Sequence, residues 1–301
     1  MLTLLKKNLK IKANSIQTYF RNIKRIARIV GHDEVPKSSK WLKGEDAKKL
    51  KKKLDDLPNN IARHLYLAAQ IAFKMYENKT SEFWSKLVKS SADKYSEQRE
   101  KLLKSAKENK NWGKGYSEVR KAATIFKNKV NHLLKKKKFE NFSEQYEVQK
   151  FVILKLYANH AFRLSPATLK LINSEKENCL FRKKGQRKWI MRLIDHKTVK
   201  SAGTLEIELN ANISKLISKY VTQRISKHDF FLSNKTGGKL SKSGLSKLLL
   251  RLTKQLVGKK IGSQLIRVMK VTENAEKITK AQQLQNEMGH SAKMQKTYVR
   301  I

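Results

Sequence analysis

The sequence predicts a mainly α-helical protein with one small antiparallel sheet in its C-terminal part. Only 3 prolines and 12 glycines occur in 301 residues, so long helices are rarely interrupted. Apolar residues recur at steps of three and four through most of the chain. Only two segments alternate apolar and polar residues as half-buried strands do. The length exceeds that of one average domain, which favours two domains.

The first hundred residues have the pattern of a basic helical bundle. Residues 15–30 carry apolar side chains at helical spacing, and residues 59–77 repeat the pattern with Ile61 and Leu65 one turn apart. A third segment, residues 81–107, has the composition of a longer and highly charged helix. These segments predict three helices that pack their apolar faces together.

A change of composition at residues 107–116 indicates a domain boundary. Apolar periodicity lapses there and two glycines occur, as is typical of a linker. The predicted domains are therefore residues 1–110, which are helical, and residues 111–301.

The second predicted domain begins with helices and then contains the strands. Helical patterns cover residues 117–135 and 144–158. Residues 186–195 and 203–210 alternate apolar and polar side chains and are separated by a short polar segment, which predicts a hairpin. From residue 211 onward the pattern is again helical, with an interruption near the glycines of "NKTGGKLSKSG".

The charge of the chain predicts a polyanionic partner. Lysine and arginine number 68 against 25 acidic residues, and the formal net charge is +43. The basic residues are spread over both predicted domains, so both are expected to face the polyanion. Nucleic acid is the first candidate for this partner. A membrane surface would also attract this charge. We predict no membrane association, because the sequence has no apolar stretch long enough to span a membrane, no basic amphipathic anchor and no signal peptide.

The single cysteine predicts a reducing, intracellular location. Cys179 has no second cysteine with which to form an internal disulfide or a cysteine-rich zinc site. We therefore expect a soluble intracellular protein.

Several enzyme classes are disfavoured by the residues. A two-metal nuclease needs converging carboxylates, whereas Glu206 and Glu208 alternate on a predicted strand as a solvated face. Residues 235–244, "KTGGKLSKSG", lack the spacing of a nucleotide-binding phosphate loop. We predict chemistry on phosphate that uses no metal, no cofactor and no small-molecule substrate.

Breaking a DNA phosphodiester without a metal requires three kinds of group. A nucleophile attacks phosphorus, cations surround the two non-bridging oxygens, and an acid protonates the leaving 5′ oxygen. Arginine suits the second role because its planar guanidinium matches the geometry of phosphate. Tyrosine, arginine, lysine and histidine all occur in the second predicted domain, in a recognisable order.

Residues 115–301 resemble the catalytic domain of tyrosine recombinases, the site-specific recombinases of the phage-integrase type. The similarity lies in four segments: "YANHAFRLSPATLKLI", "WIMRLIDHKTVKSAGTLEIEL", "IGSQLIRVMKVT" and "MGHSAKMQKTY". The last motif is the most specific. The resemblance implies a catalytic domain preceded by a helical domain that binds the far face of the core DNA site. It also implies a homo-oligomer, a tetramer, on DNA.

The resemblance assigns a role to five residues. It makes Tyr298 the nucleophile that forms a 3′-phosphotyrosyl bond and Lys197 the acid in the hairpin. Arg163, which opens the helix predicted over "LSPATLKLI", and Arg267 would bind the scissile phosphate together with His290. Lys200 is the nearest rival of Lys197 for the acid, and each of these residues taken singly has an ordinary structural explanation.

Three departures from the family pattern bear on activity. Gln264 stands where the family usually has histidine, and it can donate a hydrogen bond but cannot shuttle a proton. Pro166 replaces a common acidic residue. The gap from His290 to Tyr298 is eight residues instead of nine, which resembles the recombinases of large DNA viruses of protists and of virophages. This implies integration of a viral or mobile element. The resemblance also implies double-stranded DNA as the partner and, if the protein is encoded by a virus, a location at DNA in the host cytoplasm or nucleus.

Two alternative functions stay open at the level of sequence. The chain could be a catalytically weakened relative that binds DNA without cutting it, or an enzyme similar to type IB topoisomerases. Eight residues of straight helix span about 12 Å, so a bend after Gly289 is expected if His290 and Tyr298 reach one phosphate. We expect DNA or a partner to order Tyr298, because only three residues follow it.

Overall fold

A computed structural model of the chain describes residues 2–8, 13–101, 110–196, 199, 203–225 and 228–287. The chain forms two compact units, Met1–Leu103 and Lys104–Ile301. The fold is mainly α-helical with one small antiparallel sheet, which confirms the predicted fold class.

The first unit is a helical bundle. Its elements are α1 (Leu2–Asn8), α2 (Ala13–Ile29), a 3₁₀ turn (Lys40–Leu42), α3 (Gly44–Asp55), α4 (Asn59–Glu77) and α5 (Glu82–Lys101). Ile23 and Ile26 of α2 and Leu65 of α4 are buried at helical spacing in a common core. Trp84 is fully buried in the same core, and its Nε1 donates to the carbonyl oxygen of Leu42 at 3.0 Å. The apolar periodicity of α2 and α4 is thus the face that builds this core.

The second unit packs helices around one central helix and a sheet. Its helices are α6 (Ser117–Lys135), α7 (Phe142–Asn159), α8 (Ala211–Gln223), α9 (Lys242–Val257), α10 (Ser263–Glu273) and α11 (Ala275–Glu287). The α7 helix is buried on nearly all sides from Val148 to Ala158, as expected of a core helix that is apolar all round. Asn141 caps α7, because its side-chain oxygen accepts from the backbone N–H of Glu144 at 3.0 Å.

The sheet has three antiparallel strands in the order β1 (Cys179–Phe181), β2 (Ile190–Leu193) and β3 (Leu205–Glu208). Both strands that alternation predicts are therefore present and pair with each other, with Met191 opposite Ile207. The first strand is not predicted by its sequence. All three of its side chains are buried, so it lacks the alternation of a half-exposed strand.

The helix predicted over "LSPATLKLI" is wrong. The structure has only a 3₁₀ turn at Ser165–Thr168. The backbone then leaves the helical conformation because its polar groups have other partners. The N–H of Lys170 donates to the backbone carbonyl oxygen of Asn178 at 3.0 Å, and the carbonyl oxygen of Leu169 accepts from the backbone N–H of Phe231 at 2.9 Å. Tertiary hydrogen bonds have prevailed over the local apolar pattern.

Candidate functional site

Arg163 lies in the loop between α7 and the 3₁₀ turn, and two buried tyrosines fix its backbone. The hydroxyl of Tyr157 donates to the carbonyl oxygen of Arg163. The hydroxyl of Tyr116 donates in turn to the carbonyl oxygen of Tyr157 at 2.7 Å. Burial raises the pKa of Tyr116 to about 12 and also raises the pKa of Tyr157, so both remain protonated donors. The loop is thereby held at a defined position against the core.

Arg267 and Gln264 lie one turn apart on α10. The apolar side of this helix, with Leu265, Ile266 and Met269, is buried in the core. The opposite side leaves Gln264 exposed and Arg267 half-buried. The N-cap residue of α10 is Gly262, which has no side chain to cap the helix. The first backbone N–H groups of α10, close to Gln264, therefore have no side-chain cap.

The structure brings Arg163 and Arg267 together although more than a hundred residues separate them. The pKa of Arg267 is lowered, first by burial and then by the positive charge of Arg163. Among the described residues, neither guanidinium has a carboxylate partner. Two neighbouring cations repel each other, and an anion that binds to both of them removes this repulsion. The pair therefore favours binding of an anion.

Two further residues, which the sequence analysis did not identify, border this pair. Lys270 lies one turn beyond Arg267, with its Nζ 4.6 Å from the ring centre of Tyr116 and 3.3 Å from Glu273. His160 lies three residues before Arg163. Its ring stacks on Phe162 with centroids 5.0 Å apart, and its Nε2 is buried without a partner in the described part of the chain.

The environment keeps His160 neutral near pH 7. Burial lowers the pKa of the imidazole, and the nearby charge of Lys270 lowers it further. A neutral imidazole adds no further repulsion to the cations around it. The only signal in the sequence was a histidine close before a candidate arginine, and no spacing rule distinguishes such a histidine from a structural one.

Asn178 connects the 3₁₀ turn that follows Arg163 to the β2–β3 hairpin. Its side chain is buried and makes four hydrogen bonds. Its amide nitrogen donates to Thr168 Oγ1 at 2.8 Å and to the carbonyl oxygen of Asp195 at 3.1 Å. Its amide oxygen accepts from the N–H groups of Ile194 and Asp195 at 2.8 and 2.9 Å. Since Lys197 follows two residues after Asp195, Asn178 fixes the base of the hairpin that carries it.

Three predicted site residues cannot be placed. Lys197, His290 and Tyr298 lie outside the described residues, as does Lys200. The structure therefore brings together Arg163 and Arg267, with Gln264 on the next turn of α10, and it leaves the roles of the other three residues as predictions.

The described part of the site can bind an oxyanion. Two guanidiniums offer planar pairs of N–H donors, and the exposed amide of Gln264 offers a neutral donor. In the ranges that the structure describes, no three histidine, cysteine, aspartate or glutamate side chains converge in a way that could hold a metal ion. None of the helices described combines the length and the apolar character that crossing a bilayer requires.

No protein-family model matches the chain, and no curated protein matches it at a significant level. A solved structure described as XerA recombinase aligns with 100% of this chain and 92% of its own, with a TM-score of 0.35 and 12% sequence identity. A similarity of this size does not establish a common fold. The function is therefore inferred from the residues of the site.

Proposed function

We propose that the chain is a site-specific DNA recombinase that cleaves and rejoins strands through a covalent 3′-phosphotyrosyl intermediate. The observation that carries the proposal is the pair of guanidiniums, Arg163 and Arg267, which come from distant segments and have no carboxylate partner in the described chain. Such a pair suits the two non-bridging oxygens of one phosphodiester. The net charge of +43 supports a polyanionic substrate.

In the proposed reaction, the hydroxyl of Tyr298 attacks the scissile phosphorus and loses its proton to His290. The bond from phosphorus to the 5′ oxygen breaks, and Lys197 protonates that oxygen as it leaves. Arg163 and Arg267 stabilise the charge on the non-bridging oxygens, and Gln264 donates one more hydrogen bond. Attack by a 5′ hydroxyl on the phosphotyrosyl bond reverses these steps and joins the strands.

The remaining parts of the proposal follow from the same chemistry. The first unit would bind the core DNA site, the second unit would cut, and four copies would act on two duplexes, since exchange requires four cleaved strands. The biological role that we propose is integration of a viral or mobile element. The basic residues of the two units support DNA binding by both of them. The integration role is supported by the eight-residue gap from His290 to Tyr298, which resembles that of viral recombinases.

Trapping the covalent intermediate tests this function. The substrate is a pool of duplexes of random sequence, each with a nick in one strand. Cleavage close to the nick releases a short fragment, so that rejoining is prevented and the covalent adduct accumulates. We expect an adduct that survives denaturation, and sequencing of its DNA identifies the target. Tyr298→Phe should abolish the adduct and Tyr19→Phe, a tyrosine of the first unit, should retain it. An adduct that persists in Tyr298→Phe contradicts the proposed nucleophile.

Gln264 favours a second candidate, a relative that binds DNA without cutting it. Its amide lies exposed in the first turn of α10, one turn from Arg267, and it cannot transfer a proton. For this candidate we expect tight, salt-dependent binding of DNA and no adduct from the random pool. If Gln264→His then produces an adduct that the original chain does not form, the second candidate is supported over the first.

A further inference from the structure

A basic cleft lies in the second unit between α6, α7 and α8. Its volume is about 790 Å³, and four lysines line it: Lys127, Lys155, Lys215 and Lys219. Three asparagines, Thr124 and Arg120 complete its polar lining, and no aspartate or glutamate lines it. We refer to this surface as the basic cleft. Its residues include none of those assigned to the candidate site.

The four lysines of the basic cleft have no anionic partner in the described chain. Arg120 at the rim differs, because its Nη1 lies 3.2 Å from Glu273 Oε2. Elsewhere, exposed lysines such as Lys86 and Lys188 lie within 2.7 Å of a glutamate. Lys155 is moreover half-buried. Concentrating unpaired cations in a concave surface raises their mutual repulsion and their attraction for an external anion.

The spacing of the lysines fits an extended anion. Lys215 and Lys219 are one turn apart on the same face of α8, and Lys127 and Lys155 lie on α6 and α7. The α7 residues that line the basic cleft run from Phe151 to Asn159, which corresponds to about 12 Å of helix. Along the axis of duplex DNA, one strand carries about three or four phosphates over that length. A single phosphate would use only part of the cleft.

The basic cleft ends next to the arginine pair. Asn159 lines it, and Arg163 follows four residues later in the chain. At its rim, Arg120 bonds to Glu273, which is six residues, or about 9 Å, along α10 from Arg267. A strand that is held by the arginine pair at one phosphate would therefore have the basic cleft beside its next phosphates.

We propose that the basic cleft binds consecutive backbone phosphates of one DNA strand beside the phosphate held by Arg163 and Arg267. The inference rests on the proposed function and adds the path of the strand across the second unit. Lysine ammonium groups and asparagine amides suit this role because they contact phosphate oxygens without reading bases. An acidic peptide is the competing occupant, and the test below separates the two.

The salt dependence of DNA binding tests the proposal. The full-length triple variant Lys127→Ala, Lys155→Ala, Lys219→Ala is compared with the original chain on one 30-base-pair duplex between about 50 and 300 mM NaCl. The slope of log K against log salt is negative, and each lost phosphate contact should reduce its magnitude by about 0.9, so the magnitude should fall by about 2 to 3. At about 150 mM NaCl the affinity should fall tenfold or more.

A matched control has the same change of net charge. Lys48→Ala, Lys86→Ala, Lys188→Ala removes three exposed lysines that already pair with glutamates, so the slope should change by less than 1. Lys127, Lys155 and Lys219 lie on helices, where alanine is tolerated, and equal unfolding midpoints verify that both variants fold.

The outcomes distinguish the inference from the function on which it rests. Equal slopes for the two variants, with salt-dependent binding by the original chain, overturn the basic cleft as a DNA contact and leave the recombinase proposal intact. No salt-dependent DNA binding by the original chain overturns both. If the cleft variant loses affinity for poly-glutamate but keeps its DNA slope, the occupant is an acidic protein segment and the inference is wrong.

Discussion

Arg163 and Arg267 place two positive charges close together on the folded chain, and both side chains are half-buried. The repulsion opposes folding and favours binding of an anion, which is the usual relation between stability and function at a binding site. Both arginines and Gln264 are predicted from sequence because their motifs have recognisable neighbours, and their roles stay predictions. His160 and Asn178 could not be identified, since their roles depend on burial and on partners that are distant in sequence.

Removing one arginine should stabilise the free protein while it damages the site. We expect Arg267→Gln to raise the free energy of unfolding by about 0.5 to 1 kcal/mol at low salt, because a like-charge repulsion is lost. Chemical denaturation in 10 to 20 mM salt measures the change. Arg120→Gln is the control, since it loses an ion pair with Glu273 and should not stabilise. A loss of more than about 1 kcal/mol in Arg267→Gln would mean that this side chain supports the fold instead.

His160 should make the protein less stable in mild acid. Its pKa is lowered in the folded state from an ordinary value of 6.5, so the unfolded chain binds the proton more readily. Stability is therefore full above pH 6.5 and is lost as the pH falls below that value. In His160→Gln, the loss between pH 7.5 and 5.5 should be smaller than in the original chain. Equal losses in the two proteins, measured by denaturation at both pH values, would contradict the proposed burial of a neutral imidazole.

At the scale of elements, the sequence predicts what depends on one-sided burial and misses what depends on tertiary partners. Strands β2 and β3 show alternation, and α2 and α4 show helical periodicity, so all four are predictable. The strand β1 is buried throughout and shows neither pattern. The segment after Arg163 has a helical pattern, but its backbone bonds to Asn178 and Phe231 and remains extended.

Asn178 should support both the fold and the chemistry, because it joins the 3₁₀ turn to the base of the hairpin. Asn178→Ala leaves two partly buried N–H groups, those of Ile194 and Asp195, without the side-chain oxygen that accepts from both. We expect a loss of about 2 to 4 kcal/mol in the free energy of unfolding. Asn128→Ala, an exposed site on α6, should change it by less than about 0.5 kcal/mol. Equal effects of the two substitutions, in urea denaturation, would refute the connecting role.

At temperatures where Asn178→Ala remains folded, the same variant should cut DNA more slowly at saturating substrate. The reason is that Asn178 bonds to the backbone of Asp195, and Lys197, the predicted acid, follows two residues later in the sequence. An unchanged rate of adduct formation at saturation would show that the hairpin is positioned by other contacts.

At the scale of the whole molecule, composition and periodicity predict helices with a small sheet, and the described structure has this fold class. The composition also gives the net charge of +43. What composition could not predict is where the charge is concentrated. The basic cleft gathers four lysines from α6, α7 and α8, and these helices are separated in sequence. Their proximity is a property of the packing around α7.

Self-repulsion should give the whole protein an unusual response to salt. We expect the thermal midpoint of the free protein to rise as NaCl increases from about 20 to 200 mM, because screening weakens the repulsion among like charges. With excess duplex DNA the trend should reverse, since salt then weakens the binding that stabilises the folded state. A midpoint that responds equally with and without DNA would contradict DNA as the partner of this charge.

The DNA recovered from the trapped adducts allows the arginine pair to be tested directly. Replacing one non-bridging oxygen of the scissile phosphate with a methyl group removes the negative charge that Arg163 and Arg267 would neutralise. On the ordinary phosphate, Arg267→Ala should slow adduct formation by a factor of about 10² to 10³ relative to the original chain. On the methylphosphonate the two proteins should differ by less than about tenfold, because little charge remains to be stabilised. Equal losses on both substrates, or no loss on either, would contradict the role of these arginines in binding the scissile phosphate.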